Sequence, residues 1–345
     1  MRNISIILLF LYCIPLQLKA QPYKEPVSPA YSKLLKAYEQ SFVTHNLDDF
    51  KNALPLAEKA HPGHPYVIYF RAWLNHATGE DMVAALRGYS EAIRLMPELS
   101  DPYPMRASLF SEKGLYDKAI ADMDKAIAIE GKSASADWYS DRAEYKLRAG
   151  NAKAAFDDFA LAINKSPSTP RFYTGLVNTA FEQKNTEAAV AIFTSTLQGP
   201  LKNNGDILMA YGNLLMRMQK MNEADVVMQK SFADPNFKPD GKDYNSAGIV
   251  AYRLKDYPRA TLLFDKAIAL SPNDVGFLCN RASLAIDLKA WDDVYTYANR
   301  AITANPNNAL ANGMMAVGVK FTGRGEALSN EYYEKAKKLE ALQNQ

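Results

Sequence analysis

The sequence is poor in cysteine, with two cysteines in 345 residues. Cys13 lies in an apolar N-terminal stretch, so the chain beyond that stretch keeps Cys279 alone. A single thiol cannot form an internal disulfide, and the fold must therefore be stabilised by packing. Because a lone cysteine on an apolar helix face is usually a small buried hydrophobe, we expect Cys279 to be buried.

Neither sign of charge is in excess. The chain carries 40 Lys and Arg against 38 Asp and Glu, and the first 20 residues hold two of the cations, Arg2 and Lys19. Nucleic-acid binding depends largely on surplus Lys and Arg that meet phosphates, so the composition predicts no nucleic-acid partner. A polybasic membrane patch is unsupported for the same reason.

Motifs that carry catalytic or cofactor chemistry are missing from the sequence. It contains no Gly-rich phosphate loop, HExxH helix, Gly-x-Ser-x-Gly elbow or Cys-x-x-Cys pair. His61, His64 and His76 form the one metal-like grouping and could converge, but no nearby cysteine completes a tetrahedral set. We therefore expect no catalytic residue, no cofactor and no metal. An enzyme with a site near these histidines is the least favoured alternative.

The first 20 residues have the layout of a signal peptide. Arg2 gives a short basic start, and the nearly unbroken apolar run 4–18 stops before Lys19-Ala20. A spanning helix needs about 20 apolar residues, and Pro15 interrupts this shorter run. We expect cleavage near Ala20, export to the periplasm or out of the cell, and no membrane span in the mature chain. An uncleaved anchor is the alternative.

Three pairs of adjacent carboxylates have structural interpretations. The repeat phase places Asp48-Asp49 and Asp292-Asp293 in the first turn of a helix, where negative charge suits the helix dipole. Asp157-Asp158 is expected on an outward, solvated face. None of the three pairs is predicted to be catalytic.

A period of 34 residues runs through the chain. Pro272 and Pro306 lie 34 residues apart, and an alanine, Ala267 or Ala301, precedes each proline by five residues. Each period holds an apolar-periodic run, a turn and a second such run, which ends where proline cannot continue a helix. Close crossing of the two helices needs small side chains. The alanines expected to be buried at the crossings are Ala107, Ala143, Ala155, Ala162, Ala260 and Ala267.

These residues resemble the tetratricopeptide repeat family. The matching features are the Arg-Ala pairs at 106–107, 142–143 and 281–282, the turn Gly114-Leu115-Tyr116 and the Ala/Phe/Ala/Pro ladder. The resemblance implies an all-α fold, a right-handed superhelical solenoid of tandem helix-turn-helix repeats. We predict a linker at 21–30, a tail at 343–345 and nine helix pairs at 31–64, 66–99, 100–133, 136–169, 170–203, 205–238, 241–274, 275–308 and 309–342.

The resemblance also implies that an extended peptide or protein segment lies along the concave wall formed by successive first helices. Repeat phase places on that wall Glu144, Arg148, Asn178, Phe181, Asn213, Arg217, Asn245, Tyr252 and Arg253. The Lys/Asn arrangement by which some family members clamp a C-terminal carboxylate is not reproduced. The leading interpretation is a non-enzymatic scaffold of the bacterial envelope, and the alternative is a structural assembly factor docked permanently in an envelope complex.

Overall fold

The computed structural model describes residues 24–343, and in that range the regular structure is helical throughout, with no strand. The all-α prediction is confirmed. The predicted signal peptide lies outside the described residues. The α-helices are α1 (Pro29–Thr44), α2 (Asp48–Ala60), α3 (Pro65–Thr78), α4 (Met82–Leu95), α5 (Pro102–Glu112), α6 (Tyr116–Glu130), α7 (Ala136–Arg148), α8 (Ala152–Lys165), α9 (Pro170–Glu182), α10 (Thr186–Leu197), α11 (Gly205–Arg217), α12 (Met221–Phe232), α13 (Gly241–Arg253), α14 (Tyr257–Leu270), α15 (Val275–Asp287), α16 (Trp291–Ala304), α17 (Ala309–Phe321) and α18 (Glu326–Gln343).

The helices form two compact units that divide between Gln183 and Lys184. In the first unit, α1/α2, α3/α4, α5/α6 and α7/α8 are antiparallel hairpins, and α9 packs on α8. In the second unit, α10 contacts α11, and the hairpins are α11/α12, α13/α14, α15/α16 and α17/α18. Odd-numbered helices are called first helices below and even-numbered ones second helices.

Local sequence fixes where the helices begin and turn. Proline occupies the first turn of α3 and α5, where its missing N–H costs nothing. Asp81 accepts a hydrogen bond from the Ala84 N–H at the start of α4. Between the helices of two hairpins, Gly114 and Gly150 adopt positive φ, which glycine tolerates without strain. Asp48-Asp49 and Asp292-Asp293 lie in the first turns of α2 and α16, as predicted.

Small residues hold the hairpins close. All six alanines predicted at the crossings are fully buried, which confirms that part of the prediction. Gly248 also allows close packing of two helices in the second unit, since an added Cβ would lie 2.7 Å from the Phe264 ring. Cys279 is buried as expected, and burial raises the pKa of its thiol to about 11.

We predict that Ala143→Leu destabilises the protein by about 1–3 kcal/mol, because the fully buried site has no room for three more carbons. Ala121→Leu is the control, since Ala121 is exposed on α6. Urea unfolding of both variants measures the difference. Equal stability of the two would show that α7 and α8 can separate without cost.

Arginines of the Arg-Ala pairs tie first helices to second helices. Arg106 donates to the Asp122 carboxylate from Nε at 2.8 Å and from Nη2 at 2.7 Å. Arg142 binds Asp158 through the same two atoms, at 2.7 and 2.6 Å. Lys146 adds a third contact to Asp158 at 2.7 Å. The predicted solvated position of Asp158 is therefore wrong: Asp158 is 3% exposed, whereas its neighbour Asp157 is exposed. Adjacent helical residues point about 100° apart, so one faces water and the other faces α7.

Candidate functional site

First helices of successive hairpins contact one another. In the second unit the contacts join α11 to α13, α13 to α15, and α15 to α17, and in the first unit they join α7 to α9. Each unit therefore presents a surface made of neighbouring first helices. We call the surface of α11, α13, α15 and α17 the first-helix wall of the second unit.

Two of these helices are fixed firmly at their N-termini. Asp240 accepts from the Asp243 N–H at 3.0 Å, and the Asp243 carboxylate accepts from the Asp240 N–H at 2.9 Å, which forms a capping box on α13. Asp274 caps α15 by accepting from the Phe277 N–H. The side chains between α13 and α15 are thus presented from a rigid frame.

A cavity of about 370 Å³ lies between α13 and α15. Phe264 of α14 and Ile249 of α13 form the apolar part of the cavity lining. The polar groups come from both first helices. They are Tyr252, Arg253, Asn280 and Ser283.

Hydrogen bonds across the two helices orient these polar groups. The Tyr252 hydroxyl donates to Asp287 Oδ2 at 2.6 Å, and Asn280 Nδ2 donates to Asn245 Oδ1 at 2.8 Å. Burial, followed by the hydrogen bond to the Asp287 carboxylate, raises the pKa of Tyr252 to about 12. Tyr252 therefore stays neutral and remains a donor at physiological pH.

The structure brings three of the predicted groove residues of the second unit together. Tyr252 and Arg253 line the cavity, and Asn245 joins it through Asn280. Asn213 and Arg217 lie on α11, outside the cavity. Asn213 is half-buried and its Oδ1 atom has no hydrogen-bond partner within the described residues. The side chain of Arg217 is exposed.

Four predicted residues belong to the first unit. Glu144 and Arg148 lie on α7, and Asn178 and Phe181 lie on α9, which contacts α7. Arg148 and Asn178 are exposed, whereas Glu144 and Phe181 are half-buried. The four residues thus lie on two first helices that contact each other, and their role in binding stays a prediction.

Asn280, Ser283 and Asp287 were not predicted from the sequence. Two of them lie one residue beyond the 34-residue period, because Asn280 is 35 residues after Asn245 and Asp287 is 35 residues after Tyr252. The positions that match Asn245 and Tyr252 in the next repeat are Cys279 and Ile286. Repeat phase alone therefore did not identify these contacts, and the common 35-residue spacing of the two hydrogen bonds is the signal.

The histidines do not form a common site. His76 lies in the last turn of α3 and contacts the Tyr89 hydroxyl at 3.2 Å, whereas His64 immediately precedes the helix. Twelve residues at 1.5 Å per residue separate the two by about 18 Å, so His76 does not converge with His64. Residues 24–343 hold no group of three or more His, Cys, Asp or Glu placed to bind a metal ion.

The repeats, the buried small residues and the wall of first helices define the class. Residues 102–133, which cover α5 and α6, match the model of the tetratricopeptide repeat. The described part of the chain is an all-helical repeat structure, and one of its hairpins matches this repeat. No helix among the described residues has the length and apolarity needed to cross a membrane.

Curated relatives share part of the chain. Hsp70-Hsp90 organizing protein 1 of Glycine max is 25% identical over 231 residues, which cover 66% of this chain and 33% of the relative. Heat shock protein STI1 of Saccharomyces cerevisiae is 36% identical over 104 residues, which cover 29% of this chain and 17% of the relative. The matches thus span a third or less of these relatives' length.

Solved structures share the fold. A tetratricopeptide repeat protein from Parabacteroides merdae superposes with a TM-score of 0.52 and 19% identity, covering 75% of this chain and 100% of that one. The Cut9–Hcn1 hetero-tetramer of the APC/C gives a TM-score of 0.50 and 16% identity, covering 90% of this chain and 61% of that one. At these identities the similarity concerns the fold alone.

Proposed function

We propose that this chain is a non-enzymatic scaffold that holds an extended protein or peptide segment along the first-helix wall of its second unit. The cavity between α13 and α15 carries the proposal. Extended peptides are recognised by pockets for side chains together with polar groups for the backbone, and this cavity offers both. The similarity to organizing proteins of Hsp70 and Hsp90 supports protein–protein interaction as the class of function.

The polar groups suit a peptide with occasional carboxylates. Asn280 and Ser283 provide hydrogen-bonding groups on short side chains that suit a peptide backbone in the cavity. The exposed Arg253 guanidinium provides a cation at the edge of the cavity. Tyr252 is held in place by Asp287, so its ring forms a fixed side of the cavity. Little ordering of side chains is needed before a ligand binds.

We further propose that the scaffold acts in the bacterial envelope. The support is the N-terminal stretch with a basic start, an apolar run at 4–18 and a small residue at Ala20. N-terminal sequencing of the protein recovered from its natural host tests this proposal. A chain that begins at Met1 in a cytoplasmic fraction would contradict it.

We predict that Arg217→Ala combined with Arg253→Ala weakens capture of the partner by about twofold to thirtyfold, because two cations of the wall are removed. Exposed ion pairs contribute about 0.2–1 kcal/mol each. The measurement is quantitative pull-down from the envelope fraction with mass spectrometry, alongside a circular-dichroism melt. The melt should be unchanged, since both arginines are exposed.

The matched control removes two exposed cations from second helices, Lys230 of α12 and Lys266 of α14. Lys230→Ala with Lys266→Ala should leave capture unchanged. If this control abolishes capture while the wall variant retains it, the binding surface is on the second helices and the wall proposal is wrong.

A structural assembly factor is the second candidate, and the exposed apolar side chains of α17 and α18 favour it. Phe321 of α17 is 52% exposed, and Leu328 and Leu342 of α18 are 39% and 60% exposed. Leu328 and Leu342 lie 14 residues apart and therefore share one face of α18. In a permanent complex, a neighbouring protein would cover these side chains. A partner that stays bound through Arg217→Ala/Arg253→Ala but is released by Leu328→Ala with Leu342→Ala would support this candidate.

A further inference from the structure

One hairpin of the first unit departs from the Arg–Asp pattern of its neighbours. Arg71 begins an Arg-Ala pair eight residues before Gly79, just as Arg106 precedes Gly114 and Arg142 precedes Gly150. The three glycines share a positive φ, which fixes the register of the helices that lead to them. Arg71 is therefore the counterpart of Arg106 and Arg142.

The aspartate that should meet Arg71 is missing. Asp122 binds Arg106, and the residue 34 positions before Asp122 is Gly88. Arg71 instead donates two hydrogen bonds to Glu58 of α2, with Nε–Oε1 at 2.7 Å and Nη2–Oε2 at 2.6 Å. Gly88 has no side chain that could reach Arg71, and it lines the space beside that arginine.

That space is a groove of about 460 Å³ that α2, α3 and α4 line. Its floor is apolar and includes Val67 and Ala72, both buried, together with Gly88. Arg71 borders it on one side and the exposed Arg87 on the other. The groove is separate from the first-helix wall of the second unit.

The charged residues that line the groove are Glu58, Arg71, Arg87 and Glu91, two of each sign, and Arg94 lies beside them. Glu58 is paired with Arg71, and Glu91 accepts two hydrogen bonds from Arg94 at 2.8 and 2.7 Å. Arg87 makes no hydrogen bond or ion pair with the described residues. An unpaired guanidinium beside an apolar floor favours a ligand that brings both a carboxylate and apolar surface.

We propose that this groove binds an acidic side chain, Asp or Glu, carried on an apolar segment of a partner protein. The incoming carboxylate binds Arg87 and the Nη1 group of Arg71, because the Nε and Nη2 groups of Arg71 are held by Glu58. Neighbouring apolar side chains of the partner cover the floor at Val67 and Ala72. The hairpin thus receives from a partner the acid that α6 and α8 supply to their own hairpins.

The first experiment identifies ligands without assuming their sequence. A displayed library of random 12-residue peptides is selected on the whole protein, with subtraction on Arg87→Glu. We expect the enriched peptides to contain an Asp or Glu beside an aliphatic or aromatic residue. Enrichment of peptides without an acid, or no enrichment over the subtracted variant, would overturn the proposal.

The second experiment measures the enriched peptides by fluorescence anisotropy. Arg87→Ala should weaken binding by about twofold to fivefold, the range for one exposed ion pair, and the effect should shrink as salt is raised. Lys125→Ala is the control, because Lys125 is an exposed cation on α6 and does not line the groove. An equal effect of the two variants would overturn the proposal.

Gly88 supplies a further test that isolates the carboxylate. An added Cβ at Gly88 would lie 2.8 Å from the Ala72 Cβ, so Gly88→Ala and Gly88→Asp carry the same steric strain. Gly88→Asp also provides the missing acid and should lower affinity well beyond the effect of Gly88→Ala. Equal affinities of the two would overturn the proposal. If neither variant folds, the comparison of Arg87→Ala with Lys125→Ala decides.

A second copy of the chain is the competing occupant. Sedimentation velocity of the parent and of Arg87→Glu distinguishes the two. A monomeric parent that binds the acidic peptides supports the proposal. A dimer that dissociates on Arg87→Glu would assign the groove to self-association and overturn it.

Discussion

Replacing Asp158 by alanine is expected to destabilise the first unit by about 3–5 kcal/mol, because a buried ion pair is broken and its cations lose their partner. Asp158 accepts three charged hydrogen bonds, two from Arg142 and one from Lys146, all at 2.7 Å or less. Arg142 and Lys146 are 14% and 17% exposed in their side chains, so water replaces Asp158 only in part. Arg142 would keep Asp124 at 2.8 Å, which moderates the loss.

Asp157→Ala is the matched control for this result. Asp157 is the preceding residue of α8 and is exposed, so its loss should change stability by less than about 0.5 kcal/mol. Urea unfolding measures the free energy of each variant, and hydrogen exchange of α7 and α8 locates the change. If Asp157→Ala and Asp158→Ala were equally stable, the buried ion pair would have no net effect on stability.

Phe264→Ala is expected to cost about 3–5 kcal/mol in the second unit, since a fully buried ring is removed. The ring of Phe264 fits over Gly248 and packs with Ala251, Ala260 and Leu284. It also lines the cavity between α13 and α15, so its loss widens that cavity. A wider cavity positions a ligand less well, and capture of the partner should fall together with stability.

Leu262→Ala distinguishes this effect from a general loss of apolar surface. Leu262 lies on the same helix and is 55% exposed, so its truncation should be nearly neutral for both stability and capture. Thermal melts and pull-down of the two variants give the comparison. Normal capture by a folded Phe264→Ala would show that the cavity does not contribute to binding.

The helices could be predicted from the sequence because their periodicity repeats with the turns and prolines that bound them. Ala143 and Ala267, for example, were predicted to be buried from phase alone, and both are fully buried. The position of Asp158 could not be obtained in that way, because phase places a residue on a helix but does not reveal a charged partner. The signal lay elsewhere, in the 16-residue spacing that relates Arg106 to Asp122 and Arg142 to Asp158.

The candidate site was predictable only in part, for a similar reason. Tyr252 and Arg253 were found because they follow the repeat phase of one first helix. Asn280 and Ser283 complete the cavity from the next first helix, and their contribution depends on how closely α13 and α15 pack. Packing distance between helices is set by side chains such as Phe264, which no single-helix pattern describes.

Packing in both units joins each helix mainly to helices one or two places away along the chain. Most contacts join residues that are near each other in the sequence, so only short loops have to form. The contact order is therefore low, and little entropy is lost before a contact forms. During synthesis, α1 and α2 can pair before α5 has been made, and each later hairpin can dock on a surface that is already folded. Because the helices of residues 24–343 pack on near neighbours in the sequence, the exposed apolar face of each hairpin is covered within the synthesis of about one further repeat.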